Sequence, residues 1–298
     1  MRATPRSCYA TEGLSVPGCG AVSGRLRSLL LATTATTYAL ILIGIYTAAT
    51  GAGLTCEARW PLCDGAVFGL FPANWPSFIE WFHRLIAMIA GFLVIGAGWG
   101  AWRWQSDRRV RLAVGLALVL FPVQALLGAG TVLQYTVVYL TAHLSTALVI
   151  FASLTLATLW SYGDDVVSVA RVRYTLFAVV AAVPVMFALS PGVLLVHTPP
   201  VQVGYNAAGL LAFTGFVIVA AWSGLLSTAG RVDALRLVSV GGASVVGLQL
   251  LAGRFVYTEL IQLLDAATLV ATVVLALTAL ALASRIEPGR SRLAERPS

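Results

Sequence analysis

Eight apolar runs, near residues 28–49, 79–101, 111–133, 138–160, 174–196, 203–227, 236–256 and 261–284, dominate this chain. Each has the ~20 residues a helix needs to cross a hydrocarbon core of about 30 Å. Backbone polar groups inside a bilayer must be satisfied within the segment, so runs of this length read as helices. Of the 298 residues, 59% are hydrophobic and only 10% charged, against the about 25% charged of a soluble domain. A water-soluble globular protein is excluded, and no large soluble domain fits between the runs. The expected fold is all-α: a polytopic membrane protein with eight transmembrane helices arranged as two tandem four-helix bundles.

The net charge of +7 does not point to nucleic acid. All nineteen basic residues are arginines, gathered in the segments between apolar runs. With the N-terminus cytoplasmic, that side holds sixteen of the nineteen, and the other holds Arg59, Arg84 and Arg254. The positive-inside rule then places both termini in the cytoplasm of a multi-pass cell-membrane protein. The expected organisation is a polar tail at 1–27 without a secretory signal, an N-terminal half at 28–160, a charged linker at 161–173, a C-terminal half at 174–284 and a tail at 285–298. Gln124-Ala-Leu-Leu-Gly128 in the third run and Gln249-Leu-Leu-Ala-Gly253 in the seventh suggest an internal repeat. Four spans per half give both halves the same orientation.

Ionisable side chains inside spans are costly and mark sites. Here they are Glu80, His83, Arg84, His143 and Asp265. His83 and His143 fall at nearly one depth on two parallel helices, near the outer surface, and two imidazoles at one level can grip one metal, heme iron above all. A structural zinc site wants four ligands, which are not at hand. Below His83 the stripe Ala87, Ala90, Gly91, Val94 and Gly98 leaves room for a flat macrocycle, but reads more simply as close helix packing. Glu80, three residues before His83, suits a proton acceptor. Arg84 either pairs with Glu80 at spacing four or meets a heme propionate. In the long first outer loop, Cys56 and Cys63 lie on the oxidising side, where a disulfide is reasonable, either redox-active or a staple that orders the loop.

The residues Cys56-Glu-Ala-Arg-Trp-Pro-Leu-Cys63-Asp-Gly, Glu80-Trp-Phe-His83-Arg84 and Ala142-His143-Leu144 resemble the heme A synthase family of cytochrome oxidase assembly. The resemblance covers the whole chain in architecture, but its specific motifs lie only in the first half. It implies oxidation of the C8 methyl of heme O to the formyl of heme A for terminal oxidases. It also implies His83 and His143 as ligands of the substrate heme, Glu80 as the essential acid beside it, and Cys56 with Cys63 as the outer-loop pair. Heme O and the bilayer are the implied partners, with heme O synthase and terminal oxidase subunits as further ones; nucleic acid is not.

The second half departs from the family, which places a heme b histidine pair on the sixth and eighth spans. Here those spans read Gly204-Tyr205-Asn206-Ala207-Ala208-Gly209 and Leu264-Asp265-Ala266-Ala267-Thr268. His197 falls near the fifth span's outer end and reads as a loop residue. A competing function is a non-catalytic heme-binding carrier or oxidase assembly factor. A two-heme electron carrier needs histidine pairs near both surfaces, and a transporter wants broken helices with midplane polar groups.

Overall fold

The computed structural model describes residues 19–56, 74–105, 107–163, 167–190, 194–226, 231–253 and 259–286. Among these the chain is helical throughout, with eight membrane-length helices. They are α1 (Cys19–Ala49), α2 (Trp75–Trp104), α3 (Arg108–Leu133), α4 (Val137–Ser161), α5 (Val169–Leu189), α6 (Pro199–Ser223), α7 (Arg231–Ala252) and α8 (Glu259–Ser284), with a short 3-10 turn at Ala52–Leu54. Large apolar side chains such as Trp99, Val119, Leu126 and Leu277 stand outward, more than half exposed. In water such a surface would aggregate; in a bilayer it faces lipid. The chain is a multi-pass membrane protein.

Helix ends follow capping chemistry rather than the edges of the apolar runs. Asn74 accepts from the Ser77 amide with Pro76 in the first turn, Asp107 accepts from the Arg109 amide, and Ser168 accepts from the Arg171 amide. Each satisfies an amide that the first turn leaves without a helical partner. Ser168 therefore starts α5 at Val169, inside the segment 161–173 that the sequence suggests as linker. Polarity alone does not stop a helix, and α1 likewise begins at Cys19, two turns inside the 1–27 segment. The fifth span closes earlier than its apolar run: helix ends at Leu189, Ser190 is extended, and Leu194 and Val196 lie in an exposed connection. Pro199 and Pro200, pre-set for a first turn, then open α6.

The chain divides into two compact units, Met1–Gly163 and Asp164–Ser298. Within the first, α1 packs on α2, α2 on α3, α3 on α4 and α4 back on α1; within the second, α5 to α8 repeat this cyclic order. Lipid tails give helices little hydrophobic reason to associate, so small residues and close packing hold them together. The stripe on α2 illustrates this, since a Cβ on Gly91 would lie 2.9 Å from Phe121 and one on Gly98 would lie 3.2 Å from Leu118. Side chains of α3 fill that stripe, as close packing requires, so it offers no slot for a macrocycle.

One arginine locks each cycle. Arg27 of α1 donates to the Ser161 carbonyl at the end of α4 (2.8 Å). Arg173 of α5 donates to the carbonyls of Ala283, Ser284 and Ile286 at the end of α8 (3.0–3.1 Å). A cation there satisfies orphan carbonyls and opposes the negative end of the helix dipole. Both arginines count toward the charge asymmetry of the sequence, and each also does a structural job in its own unit.

Candidate functional site

In the first unit, His83 lies eight residues into α2 and His143 six residues into α4, so both sit near the N-terminal ends of their helices. The difference of two residues is about 3 Å of rise. Each ring is half-buried and rests against a glycine of a neighbouring helix. A Cβ on Gly44 of α1 would lie 3.0 Å from His83 Nε2, and one on Gly128 of α3 would lie 3.1 Å from His143 Cε1. A side chain at either position would force the ring to give by a few tenths of an ångström. One turn before His143, Tyr139 presses on Gly130 of α3 in the same manner.

Gln124 of α3, one turn from Gly128, donates its Nε2 hydrogen to His143 Nε2 at 3.3 Å. A carboxamide nitrogen can only donate, so in this arrangement His143 Nε2 is the acceptor. Sequence reasoning missed this contact because it weighed ionisable groups, and glutamine is neutral. The signal was present nonetheless, as Gln124 opens the five-residue segment repeated in the seventh run.

Glu80 is buried and accepts a charged hydrogen bond from Arg84 Nε at 2.8 Å, so the spacing-four pair forms. A buried carboxylate needs such a partner. Above it lies the short 3-10 turn, entered through Gly51 with φ 71°, a left-handed conformation that glycine adopts without strain. A Cβ on Gly53 of that turn would stand 3.8 Å from Glu80 Oε2. Thr55 and Ser77 tie the turn down: Thr55 Oγ1 donates to the Ala52 carbonyl, and Ser77 Oγ to the Thr55 carbonyl. Cys56 follows directly and is fully buried. Cys63, the other member of the suggested pair, lies outside the described residues, as do Arg59 and Arg254.

The second unit places different chemistry at the corresponding level. Asp265, six residues into α8 as His143 is into α4, accepts from Tyr205 of α6 (2.6 Å) and from Ser190 at the end of α5 (2.5 Å). All three residues are buried. Tyr205 lies where Gly253, just after α7, leaves room, 2.9 Å from the position of a Cβ, and Gln249 accepts from Thr272 of α8. Deeper in the unit, Leu250 closes on Gly209 and Phe216 on Gly242. The second heme implied by the resemblance does not fit these residues: one carboxylate has both oxygens engaged, the phenol is spent on it, and packed side chains occupy the interior. His197 lies in the connection between α5 and α6, on neither of the helices that would carry the ligands. Burial holds its pKa below the ordinary 6.5, while the Asp265 carboxylate and a hydrogen bond to the Leu189 backbone act in the opposite direction.

Fold and site together define an eight-span membrane protein with two glycine-seated imidazoles at one end of its first unit. The chain belongs to the cytochrome oxidase assembly protein family, whose model matches residues 27–198. That match runs from α1 through α5 and stops just before α6, so the helices that depart from the histidine pattern fall outside it. The chain is similar to a protoheme IX farnesyltransferase of Halobacterium salinarum, 39% identical over 135 residues, covering 45% of this chain and 29% of that protein. It is also similar to the heme A synthase of Bacillus licheniformis, 32% identical over 145 residues (47% of this chain, 46% of that protein). The heme A synthase of Alkalihalophilus pseudofirmus is 31% identical over 144 residues (47% and 48%). The matched stretch spans less than half the length of these curated relatives.

Proposed function

We propose that this protein is a heme A synthase-type oxidoreductase, which converts the C8 methyl of heme O to the formyl of heme A for terminal oxidase assembly. The observation that carries this reading is the pair of imidazoles, each seated on a neighbour's glycine at one end of the first unit, in a chain of the cytochrome oxidase assembly family. In the proposed site His83 and His143 ligate the iron of the substrate heme, which holds the macrocycle across the end of the unit. Glu80 takes up protons released from the methyl carbon, the electrons removed with them leave through the iron or the outer cysteine pair to an external acceptor, and Arg84 fixes the Glu80 carboxylate and lies within reach of a propionate. Cys56 and Cys63 form a disulfide in the first outer loop. We place that loop and the imidazole end on the extracytoplasmic side with both termini cytoplasmic, by the arginine distribution. One heme is bound per chain, in residues 28–160, and the half at 174–284 carries none.

A non-catalytic heme carrier or assembly factor is the second reading, favoured by the closed Asp265 cluster, which leaves one imidazole pair where the family has two. One experiment separates them. The protein is expressed in a host that makes heme O but no heme A, and the hemes are extracted and chromatographed. Hydroxylated or formyl heme that disappears in His83→Ala supports the synthase. Unchanged heme O that co-purifies supports the carrier, and no heme at all defeats both. For the cysteines, a membrane-impermeant thiol reagent labels Cys56 and Cys63 only after reduction; labelling without reductant removes the disulfide from the proposal.

A further inference from the structure

Gln124 stands at the atom of His143 that would bind iron. In heme proteins an imidazole coordinates through a ring-nitrogen lone pair, and the Nε2 lone pair of His143 is the one that Gln124 holds, at 3.3 Å. The other end of the same carboxamide is held by nothing: Gln124 Oε1 is buried and meets no donor among the described residues. The amide can therefore swing away at the cost of a single hydrogen bond. Gly128, one turn along α3, keeps the imidazole against that helix, so the ring need not move when the amide does.

We infer that Gln124 is an exchange latch, a positioning residue that competes with the substrate's iron for the His143 lone pair. It holds Nε2 as the acceptor while the site is free of heme, yields when heme enters, and closes again as product leaves. A protein that must release a heme it has bound gains from such a competitor, because the rival hydrogen bond weakens net binding without removing the ligand. The inference rests on the proposed role of His143 as an iron ligand.

The test uses the full chain in detergent, with iron protoporphyrin IX as the probe, titrated into the wild type and into Gln124→Met and Gln124→Ala. Loss of one neutral hydrogen bond from the competing state tightens heme binding about fivefold. Nitrogen NMR of the heme-free protein supplies a readout that simple packing would not move. The wild-type His143 is expected as the Nδ1–H tautomer, and both variants as a mixture. Binding that is unchanged or weaker in the variant that keeps the wild-type melting temperature overturns the latch. If the wild type binds the probe but His143→Ala binds it equally well, the ligand assignment fails and the latch fails with it. Two variants guard against misfolding, since methionine conserves the volume that alanine removes.

Discussion

The two units share a frame and differ in what they seat in it. Each has four helices in cyclic contact, an arginine from its first helix on the carbonyl end of its fourth, and a Gln-x-x-x-Gly segment on its third. In the first unit the glycine of that segment admits the imidazole of His143, which stays half-buried beside Gln124. In the second, the equivalent glycine admits the phenol of Tyr205, which is sealed from solvent and tied to Asp265. A missing side chain on one helix makes a space, and the residue that fills it decides whether the unit presents a lone pair or closes on itself. A coordinating nitrogen must remain accessible to an entering group; a buried phenol paired with a carboxylate is already satisfied.

The comparison breaks most decisively on heme content. The wild type is expected to bind one heme per chain, His83→Ala and His143→Ala none, and Asp265→Asn a full complement, by pyridine hemochrome assay against protein concentration. Two hemes per chain, or heme retained in both histidine variants, would contradict the division of labour between the units. The next effect is steric. Gly44→Val and Gly128→Val overpack the imidazole seats, and an overpacking cost of 1–3 kcal/mol translates into affinity for iron protoporphyrin IX lowered by about tenfold or more. Unaltered affinity in both would show that the rings are not held by those glycines.

In the second unit the same reasoning predicts a change in stability without a change in heme. Asp265→Ala strands the Tyr205 and Ser190 hydroxyls in the interior and should cost about 2 kcal/mol, read as a lower melting temperature with heme content unchanged. Asp265→Asn, which keeps an acceptor, should cost less, and equal losses would argue against the hydrogen-bond account. The smallest effect is a pH dependence. His197 is held below 6.5 by burial, so the unfolded chain takes up its proton first as pH falls. Stability is therefore fully present above the unfolded value and declines as pH drops through about 6.5. His197→Asn should flatten that decline in thermal unfolding between pH 7.5 and 5.5, and an unchanged slope would assign it to other groups.

Much of the fold was legible in the sequence because its causes are local. Hydrocarbon thickness sets the length of each apolar run, and all eight runs became helices. The ends were less legible: Ser168 and the prolines at 199 and 200 moved the fifth and sixth helices away from the apolar edges, since capping acts through individual hydrogen bonds. Of the candidate site, the spacing-four pair of Glu80 and Arg84 could be read along one helix and is formed. The seats of His83 and His143 could not, because the glycines that make them lie on other helices.

By itself, the sequence determined eight apolar helices of membrane-spanning length among the described residues, and it singled out the few polar side chains that such helices must justify. Only the tertiary structure decided that Gln124 meets His143, that Asp265 is satisfied by Tyr205 and Ser190, and that Arg27 and Arg173 close their units. Helical period and apolar length are properties of consecutive residues. A hydrogen bond between helices depends on which faces meet and how closely, and the positions of small residues on two separate segments set that jointly.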